Sequence, residues 1–512
     1  MKVRQVNADP KRLRILSDDE IEVIYGRPRF TDEERQEHFS LSQPERELLQ
    51  ELRSIRSRAY FALQLGYFKA KHLFFTFDLS EVQDDLGYVL ERHFDGRTLA
   101  DTRSVDKFTR IKQQRLILKL FGYRSCDAQE RSQLEARARK AVAVCGKPVY
   151  VFREMMHHLA EKRIVVPGYS FMQETVGKAF TYEQNRLTAI MRDNLTQEGV
   201  EALEELLADS PGLHEITQLK REPKDFTSGE MKREILRGER IQPLYRVAES
   251  LLPETGISSE SVKYYASLVS YYSVHRLKRL NRRMVYVYLL CFALHRYQRM
   301  NDNLIGCLIH HVRRYTDAAK AAAKERVYEC RIESNQNLGK VGRVLKLFTD
   351  DGIPAGTPFD NVQATAFSIL ERPKLELVAE HIATNAKFDE TAFQWEHIEK
   401  LAPQFKRHLR RILQTIDFAA PLPNDSLIEA VDFLKAAFRK GKPLGQYPAT
   451  AFPSRFIPKG AKRYLYEQGP DKPKKPIVDR YEFLVYRLLR NGLEAGDVHC
   501  GESVRILPHA GH

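Results

Sequence analysis

The stretch at residues 17–45 reads SDDEIEVIYGRPRFTDEERQEHFSLSQPE and decides the fold class. It repeats one pattern, a hydroxyl residue followed three positions later by glutamate: Ser17-Asp-Asp-Glu20, Thr31-Asp-Glu-Glu34 and Ser42-Gln-Pro-Glu45. In such a capping box the two side chains satisfy free amides at a helix start. Alternation at period two, typical of strands, is weak throughout the chain. The sequence therefore predicts a mainly α, multidomain protein.

Composition narrows the class of protein. The chain has 512 residues, of which 43% are hydrophobic and 29% are charged, a balance typical of soluble globular proteins. Six scattered cysteines and an N-terminus without an apolar core segment indicate a reducing cytoplasm rather than secretion. The longest apolar run, Met284–Leu294, is shorter than the about 20 residues that a membrane span needs. We expect a cytoplasmic protein without a membrane partner.

The positive charge is concentrated in two segments. The whole chain has 82 basic and 68 acidic residues, a net charge of +14. Residues 261–343 hold 16 basic and 5 acidic residues (+11), and residues 441–490 hold 11 and 4 (+7). Concentrated positive charge suits a phosphate backbone, because each neutralised phosphate releases counterions. The alternative is a solvated basic face with no ligand.

Two predicted helices carry the candidate DNA contacts. In the long helical region 261–330, the candidates follow a tyrosine-rich stretch and form a stripe with 276, 279 and 283 on one face: Arg276, Lys278, Arg279, Arg282 and Arg283. This stripe suits phosphate contacts, but it could also simply flank the apolar run. A second helix at 105–121 places Phe108, Ile111 and Leu118 inward and offers Arg110, Lys112 and Arg115.

A helix, a connector and a second helix follow one another at residues 152–180. Apolar positions mark the first helix, Pro167 and Gly168 interrupt the pattern, and Ser170–Gln173 resembles another capping box. The arrangement suits a helix-turn-helix-like DNA-binding domain. An ordinary pair of antiparallel helices is the alternative, because the connector exceeds the usual three to four residues.

We predict five segments along the chain. Prolines and glycines at 220–255 indicate a hinge or linker, and the prolines and lysines of 441–476 indicate an irregular basic connector. The predicted order is an N-terminal helical DNA-binding region at 1–185, a helical segment with a linker at 186–258, a basic helical domain at 259–350, a helical domain at 351–440, and a basic connector with the start of a further region at 441–512.

Motifs for common enzyme chemistry are absent from the sequence. There is no phosphate-binding glycine loop of the Walker type. The pairs His157-His158 and His310-His311 are adjacent rather than four residues apart, so they do not suit metal ligation from one helix face. The acidic residues form no strand-borne set of the kind that a two-metal nuclease uses.

Five blocks of sequence, each weak alone, are specific when taken together in this order: AYFALQLGYF (59–68), KRIVVPGYSFMQ (162–173), GRVLKLFTDDGIPAGTPF (342–359), DFLKAAFRKGKPL (432–444) and DRYEFLVYRLLRNGLEAGDVHC (479–500). Together they resemble the transposases of replicative, class II transposons of the Tn-three family. The resemblance implies N-terminal helical domains that recognise the terminal inverted repeats of the transposon. It also implies a C-terminal domain whose Asp-Asp-Glu triad holds two magnesium ions.

No position here matches that triad, so we expect no catalytic residue and no cofactor in this chain. A family member would continue beyond His512, and we expect a truncation before the catalytic domain. The expected partner is double-stranded DNA at the terminal inverted repeats, in the nucleoid of a bacterial cytoplasm, and a homodimer is a further candidate. The alternatives are a non-functional remnant without specific binding, a self-contained magnesium nuclease and a scaffold that binds no DNA.

Overall fold

The computed structural model describes residues 13–208, 214–384, 388–421, 425–466 and 475–506. These residues form a mainly helical protein, as predicted. The helices of the N-terminal half are α1 (Asp18–Tyr25), α2 (Asp32–His38), α3 (Gln43–Gln50), α4 (Ile55–Lys71), α5 (Gln83–His93), α6 (Lys107–Phe121), α7 (Ala128–Val144), α8 (Pro148–Glu161), α9 (Tyr169–Asn194), α10 (Gln197–Glu205), α11 (Glu215–Leu219) and α12 (Ser228–Leu251).

The helices of the C-terminal half are α13 (Ser259–Tyr271), α14 (Val274–Arg279), α15 (Arg282–Lys346), α16 (Phe359–Ile369), α17 (Arg372–Thr384), α18 (Glu390–Lys400), α19 (Ala402–Thr415), α20 (Asp425–Arg439), α21 (Lys459–Leu465) and α22 (Val478–Ala495). Short 3-10 turns include Leu79–Glu81, Pro253–Thr255, Leu347–Thr349, Leu444–Gln446 and Ala449–Ala451. Within the described residues, β-structure is limited to isolated bridges that pair Arg124 with Ile164, Ala419 with His499, and Tyr466 with Pro476.

The chain forms two compact units. The first unit comprises the described residues up to Thr217 together with Leu244–His295. The second unit comprises Gln218–Pro243 together with the described residues from Arg296 onward. The helices α12 and α15 therefore each contribute residues to both units. The five-segment division stays a prediction.

The capping boxes start the first three helices, as predicted. At Ser17 and Thr31 the hydroxyl accepts from the amide of the glutamate three residues later, and that glutamate accepts from the amide of the cap residue. Glu45 likewise accepts from the amide of Ser42, at 2.7 Å. These contacts satisfy amides that a helix start leaves unpaired.

The first unit has two hydrophobic cores, and the helix α4 lies at the centre of the first. Every residue from Ala59 to Phe68 is buried, which is unusual for a helix and requires neighbours on all sides. The ring of Phe39 crosses α4 so closely at Gly66 that a Cβ atom there would lie 2.3 Å from it. The adjacent Tyr67 donates a hydrogen bond to Asp85 at 2.7 Å. Gly66 therefore leaves the space that the ring of Phe39 occupies against α4.

A second core of the first unit lies among three helices. Leu134 of α7, Phe152 of α8 and Met172 of α9 are buried in it, and α7 packs against both other helices. Between α8 and α9, Ile164 is buried, and the residues on either side of it form the bridge to Arg124: the Arg124 amide donates to the oxygen of Arg163, and the Val165 amide donates to the oxygen of Arg124. The predicted capping box at Ser170 is wrong, because α9 begins at Tyr169 with Gly168 as its cap.

The segment predicted as a hinge or linker at 220–255 instead contains α12, a helix of 24 residues. Ile241, Leu244 and Tyr245 are buried on either side of Pro243. A proline inside a helix removes one backbone hydrogen bond and costs about 3 kcal/mol. Burial of these large apolar side chains favours the helix despite that cost. Pro243 also marks the point at which α12 passes from the second unit to the first.

The second unit has a core of its own. It combines residues of α12 and α15 with the amphipathic helices α18, α19, α20 and α22. Phe405 of α19 and Tyr486 of α22 are fully buried at its centre. Leu444, Phe452 and Leu465 also belong to this core. The predicted basic connector at 441–476 is therefore packed along its described part, and residues 467–474 lie outside the described residues.

The helices of the described ranges include none that is both long enough and apolar enough to cross a bilayer.

Candidate nucleic-acid interface

The helix α6 has one face fixed in the first unit. Asp106 precedes the helix, and its carboxylate accepts from the amides of Phe108 and Thr109 at 2.9 and 3.0 Å. Gln113 and Ile117 are buried on the inner face. The amide group of Gln113 donates to the backbone oxygen of Ser57, which precedes the buried part of α4, at 2.9 Å. The opposite face is therefore presented in a fixed orientation.

That opposite face is basic and carries an exposed aromatic ring. Lys112, Arg115 and Lys119 are exposed and recur at helical spacing, and Phe108 continues the same line. None of the three cations has an ion pair with the residues that the structure describes. The inward prediction for Phe108 is wrong, since its side chain is 85% exposed. Arg110, predicted with this group, is half-buried on another side of the helix.

The predicted single stripe at residues 276–283 is interrupted. The helix α14 ends at Arg279, Leu280 has an extended backbone, and α15 begins at Arg282. A polar side chain marks the start of the second helix, because the side-chain oxygen of Asn281 accepts from the amide of Met284 at 3.3 Å. The prediction that 276, 279 and 283 share one helical face is therefore wrong. They lie on two helices that meet at a turn.

Arg282 is engaged within the first unit. Its Nε donates to the carboxylate of Glu204 at 2.6 Å, and the hydroxyl of Tyr286 donates to the same carboxylate. The side chain of Arg282 is half-buried. When the charge of a cation is matched by a neighbouring carboxylate, the cation attracts a phosphate only weakly. Among the predicted contacts, Arg282 is the least suited to bind DNA.

The other four predicted cations of this junction are exposed. The guanidinium of Arg276 lies over the ring of Tyr272, 4.1 Å from its centre, which confirms that tyrosine and arginine side chains meet here. Lys278 and Arg279 project from α14, and Arg283 projects from the first turn of α15. Neither Arg279 nor Arg283 forms an ion pair within the described residues. These two arginines are the most available cations of the junction.

A carboxylate lies near Arg283. Asp193 accepts a hydrogen bond from Arg192 at 2.7 Å. This bond, and then the positive charges of Arg192 and Arg283, lower the pKa of the Asp193 carboxyl below its usual value. The field of Arg283 is therefore partly offset, and the net charge of the segment overstates the local positive potential.

Sequence reasoning missed Lys119 and the outward position of Phe108. Both could have been found from the spacing of residues 108, 112, 115 and 119, which places them on one line along a helix. The described residues contain no group of three or more histidine, cysteine, aspartate or glutamate side chains that could hold a metal ion.

Comparison with known proteins gives the wider relationship. Residues 15–179, which include α6 and the three-helix core, match a family described as a domain of unknown function, DUF4158. The chain is also similar to the transposase for transposon Tn1546 from Enterococcus faecium, with 21% identity over 362 residues. This match covers 69% of the chain and 35% of that transposase, so the chain spans about a third of the relative's length. The protein is thus transposase-related.

Proposed function

We propose that this chain is the DNA-recognising part of a transposase of the Tn-three family and binds duplex DNA at terminal inverted repeats. The observation that carries the proposal is a set of exposed cations on the first unit that form no ion pair with the residues the structure describes. Lys112, Arg115 and Lys119 form the face of α6, and Arg279 and Arg283 lie at the α14–α15 junction. The three cations of α6 recur along one helix whose orientation is fixed, and this arrangement suits contacts with successive backbone phosphates.

The contacts divide into two kinds. Lysine and arginine side chains bind phosphates and set the position of the protein on the duplex. An α-helix fits the major groove, where each base pair presents a distinct pattern of donors, acceptors and methyl groups. The exposed ring of Phe108 lies on the basic face and would contact a thymine methyl there. Nucleoid association follows from the same proposal.

The proposed role stops at recognition. The family resemblance implies that an Asp-Asp-Glu triad cleaves and transfers strands, and no residue of this sequence matches the triad. We therefore propose no cutting or joining by this chain alone.

The salt dependence of DNA affinity tests the α6 face. We expect Lys112→Gln with Arg115→Gln to weaken duplex binding and to reduce the slope of log affinity against log salt by roughly 1.8, since each lost phosphate contact contributes about 0.9. The readout is fluorescence anisotropy with a labelled duplex. The matched control is Arg14→Gln with Lys263→Gln, which removes the same charge from side chains that pair with Asp18 and Glu260. An equal loss of slope in both double variants would show that net charge, not this face, controls binding.

A further inference from the structure

A cavity of about 200 Å³ lies in the second unit, between the start of α12, the middle of α15 and α19. The charged residues that line it are all positive: they are Lys232, Arg407 and Arg411. The imidazoles of His311 and His408 also line it. No aspartate or glutamate is among the described residues that line it. A cavity with three cations and no carboxylate has a positive potential that nothing in its wall neutralises.

The cations at the rim are available to a ligand. Lys232 and Arg407 are exposed and have no ion-pair partner within the described ranges. Arg411 has one carboxylate nearby, that of Glu239, but the nearest nitrogen and oxygen are 3.9 Å apart. At that distance the pair is at the outer limit of an ion pair, and Arg411 keeps its hydrogen-bond donors.

The inner wall is a pair of stacked imidazoles. The rings of His311 and His408 lie 4.5 Å apart, centre to centre, and are nearly parallel at 6°. The Nε2 atom of His311 is 2.9 Å from the backbone oxygen of Phe226, and Nδ1 of His408 is 2.6 Å from the hydroxyl of Tyr315. His311 is 4% exposed, and its Nδ1 atom is buried without a hydrogen-bond partner among the described residues. The inner wall of the cavity therefore contains a ring nitrogen that has no hydrogen-bond partner within the described structure.

The surroundings penalise further positive charge. Burial, followed by the charges of His311, Arg407 and Arg314, lowers the pKa of His408 to about 4. Burial also lowers the pKa of His311. Both rings are therefore neutral at pH 7, although they stand beside several cations. An anion bound in the cavity would offset the positive charge that surrounds the two rings.

We infer that this cavity binds a phosphate group. A guanidinium matches phosphate oxygens with two parallel donors, and an ammonium adds a point charge. The first turn of α12, where Ser228 lines the cavity, contributes the positive end of a long helix. The volume is below the about 300–1,000 Å³ of sites for drug-sized ligands, so it suits one anionic group. This inference does not rest on the DNA interface of the first unit.

Inorganic phosphate is the first probe. In the full chain at constant ionic strength, we expect phosphate but not chloride to raise the melting temperature in a saturable way, because a ligand that binds only the folded state stabilises it. Phosphate should also shift the imidazole NMR signals of His408. Lys232→Gln with Arg407→Gln should weaken phosphate binding at least tenfold. The matched control, Arg439→Gln with Lys440→Gln, removes equal charge from exposed positions of the same unit and should bind as the wild type does.

A second arm, with a DNA duplex, identifies the source of the phosphate. If the double variant loses free phosphate and also loses salt slope in DNA binding, relative to its control, the cavity takes a backbone phosphate. If it loses free phosphate alone, the ligand is the free anion. If the wild type gives no saturable response to phosphate, and the two double variants bind DNA equally, the inference is wrong. Imidazole signals that do not move with phosphate would also overturn it, whatever the variants do.

Discussion

Neutralising Arg279 and Arg283 together should weaken DNA binding and reduce its dependence on salt. Both side chains are exposed and without an ion pair in the described structure, on either side of the turn between α14 and α15. Neighbouring Arg282 offers an internal comparison, because it is half-buried and pairs with Glu204. The three arginines therefore differ in availability although they lie within five positions of one another.

The size of the effect follows from the number of free cations. If each of the two arginines contacts one phosphate, the double variant loses roughly 1.8 from the slope of log affinity against log salt. Between about 50 and 200 mM salt, the fall in affinity should then be about tenfold smaller than in the wild type. Replacing Arg282 by glutamine should leave the slope unchanged, since its charge is already matched by Glu204.

The assay is a series of anisotropy titrations at four or more salt concentrations, with the same duplex for the wild type, Arg279→Gln with Arg283→Gln, and Arg282→Gln. Thermal melts check that each variant is folded. A double variant with the wild-type slope would refute the assignment of phosphate contacts to this junction. A slope that falls equally with Arg282→Gln would refute the distinction between paired and unpaired arginines.

Three further predictions concern the interior. Gly66→Ala should lower the free energy of unfolding by about 1–3 kcal/mol in urea titrations, because its Cβ would lie 2.3 Å from the ring of Phe39. Arg296→Met should cost about 3 kcal/mol in the same assay, because it leaves the buried carboxylate of Glu234 without its main partner. His408 has a folded-state pKa of about 4, below the unfolded value of about 6.5. The unfolded state therefore binds more protons between these values, so stability falls as pH drops from about 6.5 towards 4, and His408→Gln should make this fall shallower.

Each of these predictions has a control. Gly87→Ala adds a methyl group where nothing lies within 4 Å, so it should be neutral or stabilising. Arg299→Met breaks an exposed pair with Glu222 and should cost no more than about 1 kcal/mol. Equal costs within either pair of variants would contradict the packing or the burial on which the prediction depends. A pH profile unchanged by His408→Gln would show that this ring does not control acid stability.

Local signals in the sequence predicted the helices well. The three capping boxes at the start of the chain need only residues within one turn of each other, so their geometry is fixed by the sequence itself. The same locality explains the failure at residues 276–283. A cation pattern at helical spacing hid the break, although Asn281 is of a residue type that commonly caps helices.

Tertiary contacts overruled local signals in α12. The prolines and glycines of this segment predicted a linker. In the structure, however, the segment is held by the buried ion pair of Glu234 with Arg296, which is 62 positions away in the chain. Arg296 also donates to the backbone oxygens of Leu219 and Arg221. Contacts between such distant residues leave no periodic pattern in a single sequence. Apolar residues such as Met231, Ile235, Ile241, Tyr245 and Ala248 do recur at helical spacing, but the prolines and glycines outweighed that local signal in the prediction.

The two candidate sites also differ in how far the sequence predicted them. The basic face of α6 is a pattern within one helix, and the sequence predicted Lys112 and Arg115 but placed Phe108 on the wrong side. The cavity of the second unit draws on three separate segments, near residues 226–235, 307–311 and 407–412. Only folding brings His311 and His408 together, so the sequence analysis considered the first only as a metal ligand, which its spacing argued against, and did not consider the second.

The most direct test of the proposed function is a competition between two duplexes for the full chain, one with the terminal inverted repeat of the element that encodes it and one with the same bases scrambled. At physiological salt, we expect the repeat to bind at least about 1,000-fold more tightly, the lower end of the range for specific over non-specific DNA binding. Equal affinity for the two duplexes would contradict end recognition and would favour a remnant that binds DNA, if at all, through charge alone.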